Sequence, residues 1–302
     1  MVSLFPKRRS SALAIVTLML AACTRSTVPL QNLPTPFSPT ATAVLPTDQP
    51  NETPSTVEPA GTQAVVWVPS DKSLPLRATA GLSGDVVGYL NYDERGIELT
   101  GRKSMLGSSE WVEVEQPAGA KGWVQVWNLT QAVPKAQFCQ DPRVEKIVSD
   151  LRTSLERRDG AQLASLVDEA RGLVVRVDWW NPEVRLSKSD LADIFSSSKE
   201  IEWGQHFASN TAIRGSFTHL ILPMLMDALS SQVPAECDAF ETGQMTRQAA
   251  WPGEYANLNY LSFYRPAPAG GNSFNWRTWA VVIEYVNGVP CLAGLIQFRP
   301  DV

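Results

Sequence analysis

Residues 279–298 read WAVVIEYVNGVPCLAGLIQF, and this stretch decides the fold of the C-terminal half of the chain. Two apolar runs, 279–286 and 290–298, flank the dipeptide Asn287-Gly288. An Asn-Gly pair between apolar runs indicates a type I′ turn, because both residues tolerate the positive φ angles that this turn requires. The stretch therefore predicts a β-hairpin near the end of the chain.

Helical patterns precede this hairpin. Residues 143–158 carry apolar side chains at helical spacing, and Asp141-Pro142 before them is typical of a helix start. The predicted helices are 143–158, 161–167, 187–195 and 217–229, the last kinked by Pro223, and the predicted strands are 172–179, 258–264, 279–286 and 290–298. Helices followed by a curved antiparallel sheet predict an α+β domain over residues 137–302.

The order of elements in this region also resembles a known fold. A long helix, a short Asp-containing helix and then a strand resemble the opening of the NTF2-like fold. The resemblance implies either a ligand-binding cone or an enzyme, and a fold alone does not decide between them. Function therefore has to be sought in individual residues.

Residues 63–133 show a different pattern, with short strands separated by Gly, Pro, Ser and Asp. The predicted strands are 64–68, 86–90, 96–100, 111–114 and 122–127. From the same alternation, Trp111 and Trp123 are predicted to face the core. Five or more short strands at this spacing favour a small all-β barrel or sandwich.

Four segments of this region resemble the bacterial SH3 (SH3b) family. Residues 74–77 (LPLR) and 80–90 (AGLSGDVVGYL) are similar to the opening strands and loop of that family. Residues 111–114 (WVEV) match its Trp-x-x-Val strand, and 122–125 (GWVQ) with Leu129 match its closing strand. The resemblance implies an SH3-like barrel that binds a partner and carries no catalytic activity.

SH3b domains of exported proteins commonly hold peptidoglycan, its peptide stems or other proteins. An extended peptide is typically held in a groove lined by aromatic side chains. The candidate groove residues are Tyr89, Tyr92 and Trp127. The Ser-Gly pair that usually follows the arginine of the family is replaced by Ala78-Thr79, which puts the family's binding role in doubt.

The chain has two histidines, His206 and His219. His219 lies in an apolar helical pattern and is predicted to be a core residue, whereas His206 lies in a loop-like stretch. A Ser/His/Asp arrangement of Ser209, His206 and Asp178 is the catalytic alternative, but no nucleophile elbow or oxyanion motif accompanies it. Metal-ligand, P-loop and dinucleotide motifs are also absent from the sequence. The sequence predicts no enzyme, no metal and no cofactor.

Tryptophan is frequent in residues 137–302. These rings are either core residues or the walls of a cleft for a carbohydrate or apolar ligand. Trp180, Trp203 and His206 are the candidate binding residues of this region.

The N-terminus predicts export. A basic segment (7–9, KRR) precedes an uncharged apolar run (11–20), which is too short to span a bilayer. Residues 20–23 (LAAC) resemble the lipobox of bacterial lipoproteins, which implies cleavage after a signal peptide 1–22 and lipidation of Cys23. Two or more acyl chains give stable membrane anchoring. A plain secretory signal with a chance cysteine is the alternative.

Residues 23–62 are rich in Pro, Thr and Ser and predict a disordered tether, because proline interrupts helices and sheets and few apolar side chains are present. Cleavage of the signal would remove three cations and no acids and change the formal net charge from −5 to −8. So acidic a chain without Lys/Arg clusters is a poor partner for nucleic acid.

Three cysteines remain after Cys23. Disulfides persist outside the cytoplasm, and an odd number leaves one thiol unpaired. Cys291 lies in an apolar alternating stretch and is predicted to be a small core residue, which leaves Cys139–Cys237 as the preferred disulfide. Three buried thiols are the alternative.

Together these features predict an exported lipoprotein anchored on the extracytoplasmic side of a membrane, acting as a non-enzymatic binding protein. Its expected partners are the membrane, through lipid on Cys23, and peptidoglycan or an envelope protein. The alternatives are a cell-wall hydrolase targeted by its SH3b module and a structural subunit of an envelope assembly.

Overall fold

The computed structural model describes residues 62–230 and 233–300. The predicted signal peptide 1–22 and the lipidation site Cys23 lie outside these residues, as does the predicted tether 23–62 except for its last residue. The described residues are mostly β-strand, with a smaller share of helix. None of their helices is long and apolar enough to cross a bilayer.

The first sheet is a curled, antiparallel half-barrel of seven strands. Its strands are β1 (Gln63–Val65), β2 (Ser73–Arg77), β3 (Val86–Asn91), β4 (Arg95–Leu106), β5 (Ser109–Glu115), β6 (Lys121–Gln125) and β7 (Leu129–Gln131). Their order in the sheet is β3-β2-β6-β5-β4-β1-β7. Strand β4 is longer than the predicted 96–100 and lies inside the sheet, where it pairs with β5 on one side and β1 on the other.

One face of the half-barrel forms an apolar core. Leu76 of β2, Ile97 of β4 and Val114 of β5 are fully buried in this core, since alternate side chains of a strand point to the same face. Trp111 and Trp123 are also buried, but they precede the core residues Val112 and Val124 and therefore point to the opposite face of their strands.

The rest of the described chain combines helices with a second set of strands. The helices are α1 (Lys135–Phe138), α2 (Pro142–Arg157), α3 (Gly160–Ser165), α4 (Lys188–Ala192) and α5 (Leu222–Ala228). The strands are β8 (Leu173–Arg176), β9 (Val184–Leu186), β10 (Ile201–Gln205), β11 (Ala212–Gly215), β12 (Ala235–Cys237), β13 (Asn259–Arg265), β14 (Arg277–Val286) and β15 (Val289–Phe298). Sequence analysis missed β9 to β12, because strands of three to five residues show too little periodicity.

Helix α2 begins and ends where its sequence predicts. The Asp141 side chain accepts a hydrogen bond from the backbone N–H of Arg143, and Pro142 lies in the first turn, where its missing N–H breaks no helical bond. Arg158 follows the last turn in the left-handed conformation, with a φ of 52°. The apolar stripe of α2, which includes Leu151, is buried in the larger core of the molecule.

The helix predicted at 217–229 is present and changes type along its length. A π-helical stretch, Phe217–Ile221, runs directly into α5, and Ile221 and Leu222 both have right-handed helical backbone angles. Pro223 lies in the first turn of α5, directly after the change from π-helical to α-helical hydrogen bonding. The prediction that His219 is a core residue is wrong: this side chain is exposed, and its Nδ1 lies 2.8 Å from Ser216 Oγ.

A six-stranded sheet lies at the centre of the C-terminal part, in the order β12-β13-β14-β15-β8-β9. Strands β15 and β8 are parallel and the other neighbours are antiparallel. Strands β14 and β15 form the predicted hairpin, and Asn287 and Gly288 have the positive φ angles of 51° and 79° that its turn requires. The hairpin prediction is therefore confirmed.

Both faces of this sheet are covered. One face, which includes Val281 of β14, packs with residues of α2 and α5. The opposite face, which includes Val282 and Ile296, packs with Tyr255 and with Val66 from the half-barrel region. Burial on both faces explains why β14 and β15 are apolar almost throughout and do not alternate.

The half-barrel and the central sheet belong to one compact unit. The Asn257 side-chain Nδ2 donates to the carbonyl oxygen of Val65 at 2.8 Å and to that of Glu94 at 3.1 Å. The backbone N–H of Trp67 donates to the carbonyl oxygen of Glu254 at 3.0 Å. The predicted domains 63–133 and 137–302 therefore share a hydrogen-bonded interface.

Candidate functional site

A cleft of about 230 Å³ lies where β14 begins and β15 ends. Arg277 and Gln297 line it from these two strands, and Arg299 lines it directly after β15. The aromatic part of its walls comes from Trp180, Phe207, Phe274 and Trp276. His206 and Met224 also line the cleft. Aromatic walls with a few polar groups are typical of ligand sites.

Trp180 reaches the cleft because the chain turns after β8. Asp178 has a positive φ of 62°, so Trp179 and Trp180 lie in a turn and not on the predicted strand 172–179. The rings of Trp179 and Trp180 meet edge to face, with centroids 5.8 Å apart. Trp180 makes a second edge contact with Phe207, with centroids 5.4 Å apart. These contacts hold the Trp180 ring at the cleft wall.

Asn181 connects this turn to the strand before His206. Its Nδ2 donates to the carbonyl oxygens of Val177, at 2.7 Å, and Gln205, at 3.1 Å, and its Oδ1 accepts the backbone N–H of Gln205 at 2.9 Å. Asn181 is itself buried. Trp180 directly precedes Asn181, and His206 directly follows Gln205. The buried side chain of Asn181 therefore positions both residues in the cleft wall.

A buried ion pair lies beneath the cleft. Asp178 is fully buried, and its two carboxylate oxygens accept hydrogen bonds from Arg299 Nε and Nη2 at 2.5 and 2.6 Å. Burial raises the pKa of Asp178, while Arg299 and the nearby His206 act in the opposite direction. Arg299 is therefore held in place by a bidentate partner.

Two polar atoms of the cleft residues are buried without a partner. Gln297 is only 1% exposed, and its Oε1 has no hydrogen-bond partner among the described residues. Its Nε2 makes a contact of 3.5 Å with the sulfur of Met224. The Nδ1 of His206 is also buried and unpartnered within the described part of the chain. Buried polar atoms are almost always hydrogen-bonded in folded proteins, and both of these atoms belong to side chains that line the cleft.

The structure brings together two of the three binding residues predicted in this region. Trp180 and His206 both line the cleft. Trp203 does not: it is fully buried, and its indole N–H donates to the carbonyl oxygen of Gly215 at 2.9 Å. A ring with no exposed surface cannot contact a ligand, so the assignment of Trp203 as a binding residue is corrected to a core role.

The three aromatic residues predicted for an SH3b groove have different surroundings. Tyr89, on β3, is 63% exposed. Tyr92 is half-buried, and its ring lies against the backbone of Gly253. In the described part of the chain, no ring contact joins Tyr89, Tyr92 and Trp127. Of the three, Tyr89 is the residue most available to a partner.

Trp127 lies at the interface between the two predicted domains. It belongs to a 3-10 turn, Val126–Asn128, and not to the predicted strand 122–127. The guanidinium groups of Arg171 and Arg185 each lie 5.1 Å from the centre of its ring. Such cation–π contacts occupy a ring face that a ligand would need. Trp127 therefore helps to join the two regions, while 36% of its surface stays exposed and its groove role remains a prediction.

Ser209, His206 and Asp178 do not form a Ser/His/Asp catalytic triad. Asp178 is paired with Arg299, and Ser209 accepts a hydrogen bond from the backbone N–H of Thr211 at 3.4 Å. Cys237 has no free thiol to act as a nucleophile, because it forms a disulfide with Cys139. No group of three or more His, Cys, Asp or Glu suited to a metal ion occurs among the described residues.

The remaining thiol is that of Cys291 on β15. It is half-buried, and burial raises its pKa to about 11. A thiol with so high a pKa is almost entirely protonated at neutral pH and is a poor nucleophile.

Sequence analysis missed several residues of the cleft. Gln297 carries the clearest signal, since it is a polar side chain inside the apolar run 290–298. Arg277 and Arg299 lie at strand ends, where charged residues are common, and nothing local distinguishes them. Phe207 follows His206 in a loop and also lacks a local signal.

Comparison with known proteins gives no assignment for the cleft. No protein-family model, curated protein or solved structure matches this chain. Its function is therefore inferred from its residues and geometry.

Proposed function

We propose that this chain is an exported, membrane-anchored binding protein and that the cleft around Trp180 and His206 holds its ligand. The carrying observation is that aromatic rings, among them Trp180, and two arginines, Arg277 and Arg299, line one cleft. Gln297 and His206 line it too, and each has a buried polar atom without a partner among the described residues. Stacking on Trp180 would contribute the apolar part of the affinity.

The proposed architecture has two parts. Residues 63–133 form an SH3-like barrel of the SH3b type, a proposal supported by the curled antiparallel sheet and by the sequence resemblance. Residues 137–302 form an α+β domain with an NTF2-like arrangement, supported by helices on one face of a curved sheet. Lipid on Cys23 would anchor both parts at the extracytoplasmic side of the membrane, within reach of peptidoglycan.

The proposal assigns no catalysis to the cleft. Asp178 is engaged on both carboxylate oxygens by Arg299, and no other Asp or Glu of the described residues lines the cleft. Without an available carboxylate or an activated nucleophile near His206, the cleft holds a ligand without transforming it.

The test uses the chain from residue 24 onward, produced without lipid, and a muramidase digest of purified peptidoglycan. Binding would be followed by equilibrium dialysis and by tryptophan fluorescence. We expect Trp180→Ala to weaken binding roughly five- to tenfold, because one ring stack contributes about 1–1.4 kcal/mol. Val289→Ala is the control, since Val289 is an exposed apolar residue outside both the cleft and the predicted groove.

Two outcomes would overturn this proposal. The first is that the digest does not bind, or binds equally to Trp180→Ala. The second is that the chain cleaves intact peptidoglycan and that His206→Ala abolishes the cleavage, which would establish the hydrolase alternative.

A subunit of an envelope assembly is the second candidate function. It is favoured by exposed apolar side chains on β3, where Val86, Val87 and Tyr89 are 44%, 51% and 63% exposed. Strand β3 lies at one edge of the half-barrel, and sheet edges pair readily with other chains. A photo-crosslinking residue at position 87 would capture a defined envelope protein in cells if this function is correct, and would capture none if it is not.

A further inference from the structure

The walls of the cleft carry positive charge. Arg277 and Arg299 line it, and no Asp or Glu from the described residues does so. The chain as a whole has the opposite balance, with 31 acidic and 26 basic residues. A cationic cleft in an acidic protein indicates a ligand with negative charge.

The charges around Arg277 do not cancel. Asp227 pairs with Arg265 and with Arg277, the latter at 3.2 Å, while the buried Asp178 pairs with Arg299. Three guanidinium groups therefore share two carboxylates. Burial lowers the pKa of Arg277, and the neighbouring charges of Arg265 and Arg299 lower it further.

Arg247 adds another cation, since its guanidinium carbon lies 5.2 Å from the centre of the Phe207 ring in the cleft wall. A ligand with negative charge would offset this excess.

The size and the remaining walls of the cleft restrict the rest of the ligand. A volume of about 230 Å³ is below the range of about 300–1,000 Å³ that is typical of sites for drug-sized molecules, so the cleft fits one small ring. The Trp180 ring offers a stacking surface, and Gln297 Oε1 needs a hydrogen-bond donor. Rings that carry hydroxyl or amide donors, as sugars do, meet both requirements.

We propose that the cleft binds a sugar that carries one carboxylate, with the carboxylate against Arg277 and Arg299 and the ring against Trp180. A carboxylate is proposed because Arg277 shares its carboxylate partner with Arg265, and a planar carboxylate can accept two parallel hydrogen bonds from a guanidinium group. This inference rests on the proposed function of the cleft as a ligand site.

The experiment compares two sugars that differ in the carboxylate alone. N-acetylmuramic acid carries a lactyl carboxylate, its carboxamide carries a neutral amide of about the same size at that place, and N-acetylglucosamine 6-phosphate provides the phosphate comparison. Titration of the chain from residue 24 onward, at low and at high salt, would give the three affinities. We expect the carboxylated sugar to bind roughly tenfold tighter than the neutral one, since charge-assisted hydrogen bonds are about twice as strong as neutral ones. Added salt should reduce this preference.

Variants of two neighbouring arginines locate the effect. Arg277→Gln should abolish the preference for the acid, and Arg265→Gln should weaken it, because it leaves Asp227 to Arg277 alone. Arg214→Gln is the control and should preserve the preference, because Arg214 is exposed and pairs with Glu202 outside the cleft. Arg277→Lys keeps the charge and should retain most of the preference.

Arg299 is not substituted, since its removal would leave the buried carboxylate of Asp178 unpaired. Thermal unfolding of each variant shows whether the fold is intact.

The outcomes separate the two proposals. Equal binding of the acid and the neutral sugar, tighter binding of the phosphate, or an acid preference that survives in Arg277→Gln would each overturn the inference. A further outcome is that the peptidoglycan digest binds in a Trp180-dependent way but the carboxylated sugar does not bind. That result would overturn the inference about the carboxylate and would still support a ligand site in the cleft. If the digest does not bind at all, the proposed function fails.

Discussion

Glu284→Gln is the substitution that tests our account of the domain interface most sharply. Glu284 lies on β14, is 1% exposed, and pairs with Arg171 at 3.0 Å. Arg171 also donates to the backbone carbonyl oxygens of Trp127 and Leu129, the latter at 2.7 Å. Burial raises the pKa of Glu284 from its ordinary value of 4.5 to about 7, because the loss of hydration outweighs the attraction of Arg171.

This shift in pKa determines how the free energy of unfolding changes with pH. A carboxyl group whose pKa is higher in the folded chain contributes stability below its unfolded pKa of 4.5, and that contribution is lost as the pH rises through about 7. Between pH 5 and pH 8, ionisation of Glu284 alone should lower the free energy of unfolding by about 2 to 3 kcal/mol. Glutamine resembles the protonated carboxyl in shape and does not ionise, so the variant should lack this decrease.

Urea unfolding followed by tryptophan fluorescence, at several pH values from 5 to 8, measures the difference. We expect Glu284→Gln to equal the parent chain near pH 5 and to be more stable by about 2 to 3 kcal/mol at pH 8. Glu156→Gln, an exposed position on α2, is the matched control and should follow the parent chain at every pH. A parallel decrease with pH in the parent chain and in Glu284→Gln would refute the assignment of the pH dependence to this buried carboxyl.

Three further predictions concern local features. Replacing both Cys139 and Cys237 by Ser should lower the free energy of unfolding by about 4 kcal/mol, because the bond closes a loop between residues 98 apart; calorimetry with and without reductant would measure it. Gly288→Ala should lower the free energy of unfolding by about 1 kcal/mol, because alanine disfavours the positive φ of 79°. Steric clash adds nothing, since an added Cβ meets no atom within 4 Å. Equal stability of the variant and the parent chain in urea unfolding would contradict this prediction. Asp141→Ala should cost about 1 to 2 kcal/mol at neutral pH through loss of the α2 cap. The pKa of Asp141 is lowered to about 2 by hydrogen bonds from Arg143, so this contribution should disappear as the pH falls from 3.8 towards 2, which acid titration of both proteins by circular dichroism would show.

Features that depend on neighbouring residues were predictable. The turn at Asn287-Gly288 and the start of α2 at Asp141 lie where the sequence indicates, because both depend on backbone preferences over a few residues. The alternation that predicts a buried Trp123 is equally local. Short strands such as β12 were not predictable, since three residues carry no periodic pattern and pair only because β13 lies beside them.

The candidate site was only partly predictable. Trp180 and His206 were chosen because aromatic and imidazole side chains suit a ligand, and both line the cleft. Trp203 was chosen for the same reason and is buried, because residue type does not say which face of β10 points inward. Trp127 was predicted to line a groove; its ring stays 36% exposed and also contacts two arginines of the other region, which no local pattern indicates.

The sequence by itself determined the hairpin, the main helices and the contrast between a strand-rich region and a mixed one, since these follow from local backbone preferences and from the spacing of apolar side chains. Only the tertiary structure decided that Asp178 meets Arg299, 121 residues later, and that Gln297 faces the same cleft as Trp180. That convergence depends on the parallel pairing of β8 with β15, which brings distant segments side by side. No pattern within either strand specifies its partner, because the burial of both sheet faces makes their apolar runs alike.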